Sequence, residues 1–248
     1  MDDIHANREF MKSEFGLPKA LRSDQGQGLP PPPFQKPYAK GARVIDLPTV
    51  TKEVISTPEL LTCLRRRRSR RRFSRNPISL AELSFLLWAT QGIDEADPYG
   101  YASMRPAPSA GARHPYETYV AVNRVVDLDP GVYRYLPVDH KLVFEFAEPE
   151  LPRRLTEAAL GQDFVGGAAA VCLWTCIPYR GEWRYNIRAH RVMLIDAGHL
   201  CQNLYLACEA IGCGTCAIGA YDQRATDALL RVDGHDEYTV YLAPVGKT

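Results

Sequence analysis

The chain has 248 residues, a formal net charge of +1, and 46% hydrophobic and 10% aromatic residues. That composition supports a full globular core and excludes a largely disordered chain. It also lacks the overall basic field that drives general nucleic-acid binding. No apolar run approaches the roughly 18 residues needed to cross a bilayer. The opening "MDDIHANREFMKSEFG" has neither the basic start nor the apolar core of a secretory signal, so the expected location is cytoplasmic.

Residues 1–44 are expected to form an extended, proline-rich arm, because Pro30 to Pro33 supply no donors for a ladder or a helix. Residues 45–248 are expected to form the folded domain. A helix is predicted to begin near Thr57. The segment "PISLAELSFLLWATQG" carries a complete second helix signature. Ser79 caps, Glu82 closes a capping box, Ile78 staples onto Leu83, and Gly92 lies past the end.

"YETYVAVNRV" alternates like a strand, and Gly131 to Phe146 reads as a hairpin turning at "PVDH". "ELPRRLTEAAL" is a short helix, and "AAAVCLWTC" is a continuous apolar run of strand length. In "VMLIDAGHLCQNLYLACEAIG", Met193, Ala197, Leu200, Leu204, Ala207 and Ile211 recur at helical spacing. That narrow seam predicts packing against one other long helix, with Gly198 allowing a close crossing. A capped helix from Asp222 and a closing strand "EYTVYLAPVG" follow. Hairpins and helices mix without a repeating strand-helix-strand rhythm, which predicts an α+β fold.

Seven cysteines, an odd number lying in apolar segments, suit reduced, buried thiols better than a disulfide framework. Cys213 and Cys216 have redox or zinc spacing, but no second CxxC or CxxH lies nearby to complete a metal set. Packed thiols are therefore expected, and no metal.

Three segments stand out chemically. "LRRRRSRRRF" puts seven arginines into ten residues. Arginine offers a rigid fork of donors that matches phosphate and keeps its charge. "MRPAPSAGARHPYETY" fixes the chain with prolines and strips its backbone bare at Ser109, Ala110, Gly111 and Ala112, as a flat ring lying on peptide groups requires. "GCGTCAIGAYD" is another small-residue loop before a helix cap. One such loop means little. Together the three point to a ligand with a flat ring and a phosphate.

The ordered combination of "RRSRRRF", "PISLAELSFLLWATQGI", "RPAPSAGARHPYETYVAV", "GVYRYLP", "DAGHLCQNLYLACEAIGCGTCAIGAYD" and "YLAPVGK" resembles the flavin-dependent nitroreductase superfamily, with greatest likeness to its SagB-type dehydrogenases and azoline oxidases. The resemblance runs from about Ile45 to Lys247. It implies FMN, a mostly antiparallel sheet flanked by helices, and a homodimer built on the long helix with active sites at the subunit interface. It further implies that Arg67, Arg68, Ser69 and Arg71 hold the FMN phosphate, ribityl chain and pyrimidine edge. Pro108, Ser109, Ala110 and Gly111 would line the isoalloxazine from the partner subunit. Ile218, Gly219 and Ala220 would present backbone donors near flavin N5. Exchanged termini in the family imply that the arm crosses to the other subunit.

Two departures from the family pattern are visible. Many members carry basic residues after the last strand, whereas Lys247 and Thr248 stand here, and the arginine run is expected to carry the phosphate alone. Azoline oxidases carry a Lys-Tyr pair where this chain has Arg184 and Tyr185. Arginine, with a pKa above roughly 12, is no general base. Tyr185 remains a candidate acid or base, and Arg184, Arg188 and His190 candidates for an anionic substrate; the alternative is a rim without a catalytic task.

The expected function is ping-pong transfer of a hydride from NAD(P)H through flavin N5 to a nitroaromatic, quinone or similar acceptor. This needs no protein base. The alternative is an FMN-dependent dehydrogenase or oxidase acting on a peptide azoline or small metabolite with oxygen as acceptor. A nucleic-acid or protein contact by the arginines leaves both small-residue loops unexplained.

Overall fold

A computed structural model describes residues 3–13, 15–16 and 22–248; residues 1–2, 14 and 17–21 of the expected arm lie outside it. In chain order the helices are α1 Asp3–Phe10, α2 Leu60–Arg66, α3 Leu80–Gln91, α4 Leu151–Ala158, α5 Asp163–Gly166, α6 Tyr179–Tyr185, α7 Ala189–Ala210 and α8 Gln223–Leu230. The strands are β1 Val44–Asp46, β2 Glu95–Ala96, β3 Ser103–Met104, β4 Tyr116–Val122, β5 Gly131–Leu136, β6 Lys141–Phe146, β7 Ala170–Cys176, β8 Cys213–Thr215 and β9 Tyr238–Lys247. Seven strands form one sheet in the order β1-β6-β5-β4-β7-β9-β8, with every neighbouring pair antiparallel. The α+β expectation holds.

Both faces of that sheet are covered. Val120 and Val122 of β4 join the core formed with α3 and α7, while Tyr119 and Ala121 join the one formed with α4, α5 and α8. Strand β7 splits the same way, with Cys172 and Trp174 on one side and Val171 and Leu173 on the other. A central strand buried on both faces needs apolar residues at every position, and this is why "AAAVCLWTC" lost its alternation.

Local signals set the helices. Ser79 Oγ accepts the Glu82 amide and the Glu82 carboxylate accepts the Ser79 amide, closing the capping box. Asp222 caps α8 through the Ala225 amide. The 22-residue α7 buries the predicted seam, but against its own sheet and the shorter α3 rather than against another long helix. Gly198 is exposed, with nothing within 4 Å of where a Cβ would stand. Among the described residues no helix is long and apolar enough to cross a membrane.

The arm is not extended throughout, because Asp3–Phe10 form α1, with Asp3 in its first turn and Arg8 in its last, as the helix dipole favours. The proline-rich stretch is extended, and it lies along its own chain. Prolines leave a row of acceptors without matching donors, and buried side chains meet them. Trp183 donates to Leu29 O (3.0 Å), Arg113 to Pro32 O (3.0 Å), Arg105 to Phe34 O (3.3 Å), and Arg134 to Lys36 O (2.8 Å) and Pro37 O (3.0 Å). These contacts tie residues 29–37 to the folded domain of their own chain.

All seven cysteines are free and buried. Cys213 faces the α3–α7 core and Cys216 the opposite core, so the sheet separates the two thiols and the redox reading of their spacing falls away. Burial pushes Cys172 and Cys201 up to about 12 and Cys213 to about 11. These are packing groups, not thiolate nucleophiles.

Candidate functional site

The sequence-predicted residues fall into two groups, held at opposite ends of α7. The first is the loop Pro108 to Gly111. Ser109 donates its hydroxyl to Asp196 Oδ2 at 2.6 Å, and the Ala110 amide bonds both carboxylate oxygens at 3.1 and 3.2 Å. His199 Nδ1 lies 3.3 Å from Pro108 O, and Arg184 Nη1 donates to Gly111 O at 2.7 Å. Burial raises the Asp196 carboxyl above its ordinary range, and the bonds from Ser109 and Ala110 pull it back. Ser109 Oγ also accepts the His114 amide at 3.0 Å, so this hydroxyl is fully committed inside the protein.

Gly111 has φ +61°, a region where any side chain is strained. A Cβ here would stand 2.6 Å from Tyr185 Oη and 2.7 Å from Arg184 Cδ. The structure thus brings Tyr185 and Arg184, predicted as a pair, onto the loop predicted to face a ring. Arg184 spends one of its guanidinium donors on the Gly111 carbonyl. Phe15 packs edge-on against Tyr185 with ring centroids 5.6 Å apart. Arg188 lies in the 3₁₀ turn Asn186–Arg188 and lines a small cavity with Phe10, Phe15 and Arg191. His190 Nε2 meets Glu182 Oε1 at 2.7 Å; Glu182, unremarked in the sequence, opens with Tyr179, Tyr238 and His235 on a cavity of about 590 Å³.

The second group surrounds the C-terminal half of α7. Arg67 ends α2 with its guanidinium 5.2 Å from the Tyr205 ring centroid. The Tyr205 hydroxyl bonds Ser69 Oγ at 2.9 Å and accepts the Ala217 amide at 2.8 Å. One tyrosine therefore joins the arginine run to the third small-residue loop. Glu209 pairs with Arg70 at 3.2 Å and Arg66 at 3.8 Å, removing those two from the supply of free cations. Arg68 folds back on the carbonyls of Arg65 and Arg67, and Arg71 lies exposed with its guanidinium 6.0 Å from the Phe164 ring. Arg67 and Arg71 carry no carboxylate partner among the described residues and keep full charge for an anion.

In the loop before Asp222, the Ile218 amide donates to Leu242 O at 2.8 Å, so it is no donor for a ligand. Gly219 and Ala220 are exposed, and their amides have no intrachain acceptor among the described residues. The Ala220 carbonyl accepts from Gln162 at 3.1 Å, which fixes the loop.

Asp196, Tyr205 and Glu209 escaped sequence reading. Their partners Ala110, Ser69 and Arg70 lie 86, 136 and 139 residues away in the chain, and the available signal was their place as polar residues on a helix otherwise read for its apolar seam.

The nitroreductase family model matches residues 64–247. A protein of Methanocaldococcus jannaschii named for that family is 35% identical over 182 residues, covering 73% of this chain and 87% of that one. The trifolitoxin-processing protein TfxB of Rhizobium leguminosarum bv. trifolii is 31% identical over 166 residues, covering 64% of this chain and 44% of its own length. A solved nitroreductase-family structure from Ralstonia eutropha superposes with a TM-score of 0.68 at 28% identity, covering 89% of this chain and 94% of that one. The NADPH:FMN oxidoreductase of Vibrio harveyi shares the fold alone, with a TM-score of 0.54 at 16% identity, covering 76% of this chain and 68% of that one. With most of its length matched, the arginine run and both small-residue loops included, the chain belongs to the nitroreductase family.

Proposed function

We propose that the protein is an FMN-dependent oxidoreductase that works as a homodimer, passing reducing equivalents from NAD(P)H to a nitroaromatic, quinone or similar acceptor. The observation that carries this is the placement of the two half-sites. Asp196 and Tyr205 are nine residues apart on α7, about 14 Å along a helix at 1.5 Å per residue, and Glu209 lies about 20 Å from Asp196. A two-fold axis crossing α7 between them sets the ring loop of one subunit beside the arginines of the other. The outward face of α7 suits that contact, since Leu194 and Ile195 are 50% and 44% exposed and Gly198 offers an open crossing point.

The residues present fit the cofactor. Arg67 and Arg71 would hold its phosphate, Ser69 its polar chain, and the amides of Gly219 and Ala220 its ring edge. The Pro108–Gly111 backbone would lie against its face. FMN bound there supplies reversible hydride chemistry. The protein's own work is to orient the ring, exclude water from it, and hold Tyr185 Oη at Gly111, where it can give or take a proton.

Steady-state kinetics test the reading. Parallel double-reciprocal lines for NADH or NADPH against menadione support it, and no turnover with either donor over a panel of quinones and nitroaromatics contradicts it. A second reading, oxidation of a peptide azoline or small metabolite with oxygen as acceptor, is favoured by the position of Tyr185 and the likeness to a peptide-toxin processing protein. In that case Tyr185→Phe abolishes turnover and retains FMN. Full activity of Tyr185→Phe would remove it.

A further inference from the structure

Asp196 is buried at 5% exposure; no lysine or arginine forms an ion pair with it among the described residues, and the cationic group acting on it is His199. A charge so placed is costly unless hydrogen bonds satisfy it. Its donors are the Ser109 hydroxyl and the Ala110 amide, both on the loop that lies at Tyr185. One turn further along α7, His199 meets the carbonyl of Pro108 at 3.3 Å. The helix therefore pulls three consecutive loop residues inward by their polar atoms. Pro108 stays exposed, Ser109 to Gly111 are half-buried, and the Gly111 edge faces Tyr185 and Arg184.

We propose that Asp196 is a positioning residue of the flavin site, clamping the Ser109–Ala110 backbone flat for the ring and placing a fixed negative charge behind it. This rests on the FMN reading above. A negative charge behind the ring disfavours the electron-rich reduced flavin by ordinary Coulomb repulsion, so it holds the reduction potential down. Clamp and charge are separable. Asp196→Asn keeps an acceptor for the Ala110 amide and removes the charge, whereas Asp196→Ala removes both.

The test uses the full-length protein at pH 8, with FMN affinity measured by fluorescence quenching and midpoint potential by spectroelectrochemistry. Asp196→Asn is expected to bind FMN within about threefold of wild type and to show a more positive potential. Asp196→Ala is expected to bind FMN at least tenfold more weakly, the loss of one or two charge-assisted hydrogen bonds. Ser109→Ala covers the case in which an Asp196 variant fails to fold, and is expected to lose roughly three- to tenfold in affinity. Wild-type affinity in Ser109→Ala and Asp196→Ala, or an unshifted potential in Asp196→Asn, overturns the assignment. Wild-type protein that takes up no FMN refutes the flavin reading itself, and this is seen before any variant is compared.

Discussion

Gly111→Ala separates the flavin-loop reading from a purely structural loop. At φ +61° an alanine costs about 1 kcal/mol relative to glycine. The new Cβ also stands 2.6 Å from Tyr185 Oη and 2.7 Å from Arg184 Cδ, distances that force both half-buried side chains to shift. Overpacking of that kind adds about 1–2 kcal/mol. Without ligand the loop relaxes, so the apo protein is expected to lose less than the roughly 4–12 °C in Tm that the full 2–3 kcal/mol would cost in a chain of this size. With FMN the loop must be held flat and the strain falls on binding. Affinity is then expected to drop about 30- to 150-fold. Differential scanning fluorimetry of the apo protein and FMN fluorescence quenching measure the two effects separately. A folded Gly111→Ala protein that binds FMN like wild type would refute the placement of this loop against the ring.

Three further outcomes follow from the same contacts. Glu117 accepts from the buried Arg134 and Arg180 and from the Lys36 amide, so Glu117→Ala leaves the buried Arg180 without its carboxylate partner and loosens the proline-rich strap, while Arg134 keeps Glu145; the cost is about 3–5 kcal/mol, read as a Tm fall of roughly 6–20 °C, and a fall under 2 °C would contradict it. Burial, with Arg105 nearby, pushes the His114 imidazole down from 6.5 to about 3. Its contribution is therefore complete above pH 6.5 and erodes as the pH falls toward 3, so wild type should lose about 2 kcal/mol more than His114→Gln between pH 7.5 and 5 in urea unfolding, and parallel losses would argue against a buried neutral imidazole. Tyr205→Phe removes the bonds to Ser69 and Ala217 while keeping the ring under Arg67, and should weaken FMN roughly three- to tenfold, measured by quenching, with unchanged affinity as the contrary result.

What could be read from sequence was whatever is local in the chain. The capping box of Ser79 and Glu82 spans three residues, and the hairpin turning at Pro137 to His140 is closed by its own neighbours. The seam of α7 was legible as periodicity, but not its partner, because a core formed by sheet and helix presents the same spacing as a helix pair. The site was half legible. Bare backbone at Ser109 to Gly111 and clustered arginines announce a ring and a phosphate by residue type alone. Which arginines stay free depends on Glu209, and which amides stay free depends on Leu242 O, and both partners arrive from elsewhere in the fold. The strap shows the same limit: four prolines foretell an extended chain, while the arginines that hold it come from 71 to 98 residues further on.

An anaerobic absorption spectrum of the purified protein, before and after addition of FMN and then of NADH or NADPH, tests the proposed cofactor and reaction together. Uptake of one FMN per chain followed by bleaching of the yellow band with either donor is the predicted result. A folded protein that stays colourless with excess FMN would contradict the cofactor assignment, and a yellow protein that neither donor bleaches would contradict the reductase.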